Sequence, residues 1–323
     1  MTLLATYAAC MRNLSTTERP GSRSQALPRV LHVAARMPYG GTERQLAGTI
    51  SAARGVHWNP TLCVLYAGYP LTAELAAAGV HVIELPADMT SVDRVSAVIT
   101  LLRDGVFDVI HTSQWGASAV TRLLARAGCT APLVVSEHRV EEPRRAWRRH
   151  LDRWLEPSTA AFIAGSPDVA AFITQAHGAP SEKIAVVPTG ADPVRCRPRS
   201  AAVGAPRTPW RIGGAGYLVH QEGFDVLIDA AAHLSGRHDV ELVIAGEGAL
   251  RRDLEHRATG LPVRFVGSLN TPGAVTDFLH SLDVFACPSR HDGQPSALVS
   301  RCVGLSAARR CDQRPVHPFD CRA

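Results

Sequence analysis

Residues 283–299 read DVFACPSRHDGQPSALV, and this stretch decides the fold. Val284, Phe285, Ala286 and Cys287 form a short apolar run of the kind that suits a buried parallel strand. Pro288 and Ser289 end it. Asp292 and Gly293 make a polar loop, and Ser296, Ala297, Leu298 and Val299 open a helix. A strand's carboxyl end, a polar loop and a helix N-terminus in that order suit an anion, because backbone N–H groups converge there.

The same alternation runs through the chain. Strands are predicted at residues 29–33, 61–66, 80–85, 108–111, 132–135, 161–163 and 184–187. Helices are predicted at 43–53, 71–78, 92–102 and 117–127, with Thr42 as N-cap of the first. Residues 193–209, rich in Pro, Arg and Ala, read as a linker. Beyond it, strands are predicted at 210–214, 241–245, 263–266 and 284–287. Strands alternating with helices imply an α/β fold with parallel sheets covered on both faces, and ligands at the strands' carboxyl ends. His111 and His138 both fall at such ends, Gly40 and Gly41 follow the first strand, and Gly246, Glu247 and Gly248 follow the strand at 241–245. By themselves the glycines fit a tight turn as well as an anion loop.

The chain has 323 residues, 46% of them hydrophobic, which is enough for two domains with sizeable cores. Its formal charge of +5 is mild and does not call for a nucleic-acid partner. No apolar run approaches the ~20 residues that span a bilayer. The opening residues lack a basic region ahead of their apolar patch, so no signal peptide is expected. Eight scattered cysteines without a C-x-x-C pair indicate neither zinc nor a disulfide framework. Residues 1–28 read as a disordered lead-in. Residues 143–154, PRRAWRRHLDRW, combine Arg144, Arg145, Arg148 and Arg149 with Trp147 and Trp154. That pattern fits a solvated helix face or contact with an anionic membrane or a lipid diphosphate.

Taken as a set, these pieces resemble the family-4 retaining glycosyltransferases, from about residue 29 to residue 299. The glycine pair resembles the family's G-G-x-E/Q loop, Ser136-Glu137-His138 its T/S-x-H, and Val187-Pro188-Thr189-Gly190-Ala191-Asp192 its V-I-P-N-G-V-D. The G-E-G at 246–248, Phe265-Val266-Gly267 and the 283–299 stretch match in order and spacing. The resemblance implies a GT-B fold, two Rossmann-like doubly wound domains facing across a cleft, at residues 29–192 and 210–299. It implies transfer of a hexose from a nucleotide-sugar to a glycan or lipid-linked acceptor, with retention, no metal and no other cofactor. It places His138 and Asp292 at the chemistry. It places Gly40, Gly41, Gly216, Gly246, Glu247, Gly248, Gly267, Ser268, Ser296 and Ala297 at the donor. A cytoplasmic enzyme, peripheral at the inner face of the membrane through Arg144, Arg145, Arg148 and Arg149, follows from the same likeness.

The chain departs from the family at the donor's charge. The family's G-R-L-x-x-x-K-G is here residues 216–223, with Tyr217 at the arginine position and Glu222 at the lysine position. Glu222 is expected to repel a diphosphate, with His220 as a weak substitute cation. The second acid of the family's E-x7-E is Ser300. Residues 300–323 carry Arg and Cys densely and show no strand or helix period. The expectation is an aberrant tail, from a frameshift or from divergence, an incomplete second domain and impaired activity. A non-catalytic remnant or binding protein is the alternative. A dinucleotide-dependent oxidoreductase is disfavoured, because no strand–turn–helix carries a full G-x-G-x-x-G with its ribose-binding acid.

Overall fold

The structure is a computed structural model, and it describes residues 27–128, 131–140, 146–188, 190, 208–271 and 273–290. The chain divides into two compact units, residues 1–189 and 190–323.

The first unit is built on a parallel sheet of seven strands in the order β3-β2-β1-β4-β5-β6-β7. These are β1 (Arg29–Ala34), β2 (Asn59–Val64), β3 (His81–Glu84), β4 (Val109–Ser113), β5 (Leu133–Glu137), β6 (Ala161–Ala164) and β7 (Ile184–Val186). Successive residues of a strand face opposite sides. Leu31, Val33, Ile110, Leu133 and Val135 join one buried cluster. Val30, Val109 and Val134 join another on the opposite side, with Trp58. Both faces are dry, so the central strands read as continuous apolar runs. The helices are α1 (Gly41–Ala53), α2 (Pro70–Ala77), α3 (Ser91–Asp104), α4 (Trp115–Arg126), α5 (Ala146–Leu155) and α6 (Pro167–His177). The order of strands reverses between β1 and β4, and ligands of such sheets bind beside that reversal, at the carboxyl ends.

The second unit repeats this plan in four described parallel strands, ordered β10-β9-β8-β11. They are β8 (Trp210–Ala215), β9 (Val240–Ala245), β10 (Val263–Gly267) and β11 (Val284–Phe285), with helices α7 (Phe224–Ser235), α8 (Arg251–Arg257) and α9 (Ala274–His280). Its cores contain Val243, Phe278 and Leu279 on one side and Phe224, Ile228 and Ile244 on the other. The reversal lies between β8 and β11.

Two expectations are corrected. Thr42 is not the N-cap of α1: the helix starts at Gly41, and Gly40, extended at φ −92° and ψ 165°, is the cap, with no side-chain hydrogen bond. The Gly40 carbonyl already accepts from the Arg44 amide at 3.0 Å, which brings Thr42 inside the first turn. The last strand is shorter than residues 284–287. Ala286 donates to the Gly213 carbonyl at 2.8 Å, but the strand spans only Val284–Phe285, and Pro288 has no N–H to continue a ladder. The linker at 193–209 is described only at its last two residues. The tail at 300–323 lies outside the described residues.

Candidate functional site

At the reversal of the first sheet, β1 runs into a loop that ends at Gly40, and β4 runs into Gln114. Gly40 is buried and Gly41 exposed. The first amides of a helix have no acceptor within it, so the Gly41 and Thr42 N–H groups are available to an anion, whereas the Gly40 amide donates to the Pro38 carbonyl at 2.8 Å and the Glu43 amide to its own carboxylate. Glu43 lies in that first turn. Its carboxylate accepts from Gln114 Nε2 at 2.6 Å. Burial pushes the Glu43 carboxyl above its usual range, against its backbone bond, the Gln114 bond and the charge of Arg139.

His138 follows β5 directly. It is half-buried, and its Nδ1 is buried without a hydrogen-bond partner among the described residues. Burial first, and the charge of Arg139, push the imidazole down to about 4, with Glu137 opposing. At neutral pH it is therefore an uncharged ring that can donate at one nitrogen and accept at the other. His111 is differently placed. Its Nδ1 lies 2.9 Å from His32 Nδ1 and its Nε2 2.8 Å from Ser136 Oγ, both in the sheet interior. Burial, then the neighbouring His32 and His138, hold it well below the usual histidine range. His111 thus acts as a buried hydrogen-bonding residue.

Glu137 is anchored from behind. His177 Nε2 lies 3.2 Å from its carboxylate. Arg122 Nη1 reaches His177 Nδ1 at 3.3 Å and Asp152 Oδ1 at 3.0 Å. Its Nη2 donates to the Asp152 carbonyl at 2.7 Å and its Nε to Thr159 Oγ1 at 3.1 Å. A guanidinium can only donate, so His177 Nδ1 accepts from Arg122 while Nε2 faces Glu137. Gln114, Arg122 and His177 were not singled out in the sequence, because none of them belongs to a motif.

In the second unit, Gly216, Gly246 and Gly267 stand at the ends of β8, β9 and β10. Gly216 donates to Ala245 O at 3.0 Å, Gly246 to Gly267 O at 2.8 Å and Leu218 to Glu247 O at 3.0 Å. A Cβ on Gly246 would lie 1.8 Å from Gly216 O, and one on Gly248 2.5 Å from Leu218 O. These glycines are thus required where one loop's backbone crosses another. Glu247 is exposed and pairs with Arg251 at 3.0 Å; Ser268 is exposed.

The positions expected to hold cations behave unexpectedly. Tyr217 is exposed. Glu222 is turned inward and accepts from Ser289 Oγ at 2.9 Å, which ties the 220–222 turn to the segment after β11. A cation does reach this turn, from Arg290. Its guanidinium grips both Asp225 oxygens, at 2.8 and 2.7 Å, and donates to His220 O at 2.7 Å. The Arg290 bond is the main cause holding the Asp225 carboxyl down at about 2. Asp292, Ser296 and Ala297 lie outside the described residues, as do Arg144 and Arg145. Among the described residues no cluster of His, Cys, Asp or Glu could hold a metal ion, and no helix is long and apolar enough to cross a membrane.

Two family models match the chain in order: Glycosyltransferase Family 4 over residues 39–195 and Glycosyl transferases group 1 over residues 210–301. A GDP-mannose-dependent alpha-(1-6)-phosphatidylinositol dimannoside mannosyltransferase of Mycobacterium tuberculosis is 39% identical over 113 residues, 33% of this chain and 29% of the relative. A D-inositol 3-phosphate glycosyltransferase of Xylanimonas cellulosilytica is 27% identical over 218 residues, 58% of this chain and 52% of the relative. The matches thus span about half or less of these curated relatives. Among solved structures, Anabaena HepE in complex with UDP and glucose superposes with a TM-score of 0.67 at 18% identity, covering 81% of this chain and 74% of HepE. WaaG, a glycosyltransferase involved in lipopolysaccharide biosynthesis, gives 0.60 at 15% identity, over 86% and 79%.

Proposed function

Because the chain belongs to the family-4 glycosyltransferases, we propose that it moves a hexose, with retention, from a nucleotide-sugar to a glycan or lipid-linked acceptor. The observation that carries this reading is His138, uncharged and with a buried Nδ1 that has no hydrogen-bond partner among the described residues, at a strand end close to the reversal of its sheet. In this reading the imidazole hydrogen-bonds the transferred sugar, and the first turn of α1 receives the diphosphate. Asp292 faces the sugar, and Gly216, the 246–248 loop, Gly267, Ser268, Ser296 and Ala297 frame the nucleotide. Charge developing on the departing diphosphate is stabilised by backbone N–H groups and helix N-termini, without a metal. The acceptor is of the lipid-linked kind named for the mycobacterial relative, or a glycan.

The surface of α5 suits such an acceptor. Trp147 and Trp154 are about half exposed beside exposed Arg149, and Arg148 stacks on Trp115 at 4.4 Å. Exposed indoles beside guanidinium groups fit an anionic membrane surface, and in this reading the enzyme works at the cytoplasmic face of a membrane. Turnover is slow in this reading, because Tyr217 and Glu222 stand where the family has cations and Arg290 is occupied by Asp225. That same observation favours a second reading, a nucleotide-sugar-binding protein without transfer.

Incubation with UDP- and GDP-sugars separates the two. Transfer or slow donor hydrolysis that falls at least ~100-fold in His138→Ala, with nucleotide affinity kept, supports the enzyme. Nucleotide binding without sugar release supports the binding protein. Failure to bind either nucleotide overturns both.

A further inference from the structure

Gln114 combines backbone strain with a side chain that makes every hydrogen bond it can, and those bonds go to the loop after β1 and to the first turn of α1. Its φ is 70° and its ψ 129°. It is the one non-glycine residue with positive φ among the described residues. Its ψ lies far outside the left-handed well near ψ ≈ +47° that side-chain-bearing residues occasionally visit. Such conformations persist only where surrounding contacts enforce them, and they gather at functional sites.

The start of α4 does not require this side chain. The Gln114 carbonyl accepts from Ser118 N at 3.0 Å, which any residue could do, and the side chain makes no cap bond. Glycine, having no Cβ, would adopt the same torsions with less strain. The side chain points instead to the loop between β1 and α1. Oε1 accepts from Ala35 N at 2.9 Å and from Arg36 N at 3.1 Å. Nε2 donates to Arg36 O at 2.9 Å and to Glu43 Oε1 at 2.6 Å. An amide has two donor hydrogens and two acceptor lone pairs, and all are used. The contacts fall on both ends of the loop: its first residues after β1, and the first turn of α1. Between these anchored ends stand Gly40 and Gly41, at the reversal of strand order.

We infer that Gln114 is a positioning residue, which staples the start of the loop after β1 to the first turn of α1, so that the Gly41 and Thr42 amides at the helix start are held ready for the donor's diphosphate, the Gly40 amide being taken by the Pro38 carbonyl at 2.8 Å. The inference rests on the donor reading given above. In it, the strained backbone aims the amide at the loop. A relaxed residue at this position would direct its side chain elsewhere.

The test uses the full chain and two variants. Gln114→Gly removes the staple and eases the strain; Gln114→Ala removes the staple and keeps the strain. Hydrogen exchange at amides 35–44, thermal unfolding, and calorimetric binding of UDP and GDP are measured for each. Both variants are expected to exchange these amides faster and to bind nucleotide about tenfold more weakly, the effect of losing one or two net hydrogen bonds. Gln114→Gly is expected to melt at the higher temperature of the two. Affinity that follows melting temperature instead, with Gln114→Gly binding like wild type, would leave Gln114 a structural residue only. Unchanged exchange at 35–44 in both variants overturns the positioning role alone. Wild-type protein that binds neither nucleotide overturns the donor reading itself, so the two failures are told apart.

Discussion

His32, His111 and His138 differ in role because their surroundings differ. His32 and His111 are buried partners across β1 and β4, in register with each other. Burial pushes His32 down to about 3. A histidine whose folded pKa lies below its unfolded value binds more protons when unfolded, so stability falls as pH drops below about 6.5 and levels off only near the folded value. Each such group contributes a slope of ~1.4 kcal/mol per pH unit in that window. The variant His32→Asn, which keeps a polar atom near the Nδ1 position, is expected to lose one such slope. Urea unfolding between about pH 6.5 and about pH 5 checks this, and parallel slopes for variant and wild type would count against it. At this scale the sequence was informative where chemistry follows a motif and silent where it follows torsion. Ser136-Glu137-His138 after an apolar strand pointed to a strand-end histidine. The backbone angle of Gln114 has no signature in residue type. Glu222 reads as repulsion in the sequence, and only the approach of Ser289 shows it tied down.

Helices α4, α5 and α6 are joined to β5 by the buried Arg122–Asp152–His177–Glu137 cluster. Arg122→Met leaves the Asp152 charge buried without its partner guanidinium, which is expected to destabilise by about 3–5 kcal/mol. Adding Asp152→Leu removes that charge and is expected to recover much of the loss. Urea titrations of the single and double variants decide it, and equal instability in both would mean that packing, rather than the charge, is responsible. Gly246→Ala tests the second unit. Its φ of 142° and the 1.8 Å approach to Gly216 O allow no side chain without backbone movement, and a loss of at least about 1–3 kcal/mol is expected. Unchanged stability would show that these loops part readily. Elements were the most legible level, because apolar runs of strand length punctuated by glycine and proline mark parallel strands. Their ends were less so. Gly40 caps α1 through its backbone, which leaves no side-chain sign of the start, and β11 is shorter than its apolar run.

Across the whole chain, the same strand order is used twice. β3-β2-β1-β4 in the first sheet and β10-β9-β8-β11 in the second place a reversal next to each first strand. The glycine loops singled out in the sequence follow those first strands or their neighbours, which explains why the ends of apolar runs were enough to locate them. Each sheet also has its own buried clusters: Leu31, Ile110 and Phe162 in one unit, Ile228, Ile244 and Phe278 in the other. A unit that closes its own core carries its own cooperative transition, and a chain with two such units departs from two-state unfolding. Calorimetry of the full chain is therefore expected to show two transitions. Arg122→Met should lower one of them and Gly246→Ala the other, and UDP or GDP should raise whichever belongs to a unit that binds it. A single transition lowered by both substitutions would mean that the cores melt together, and the separate stability of the units would have to be abandoned.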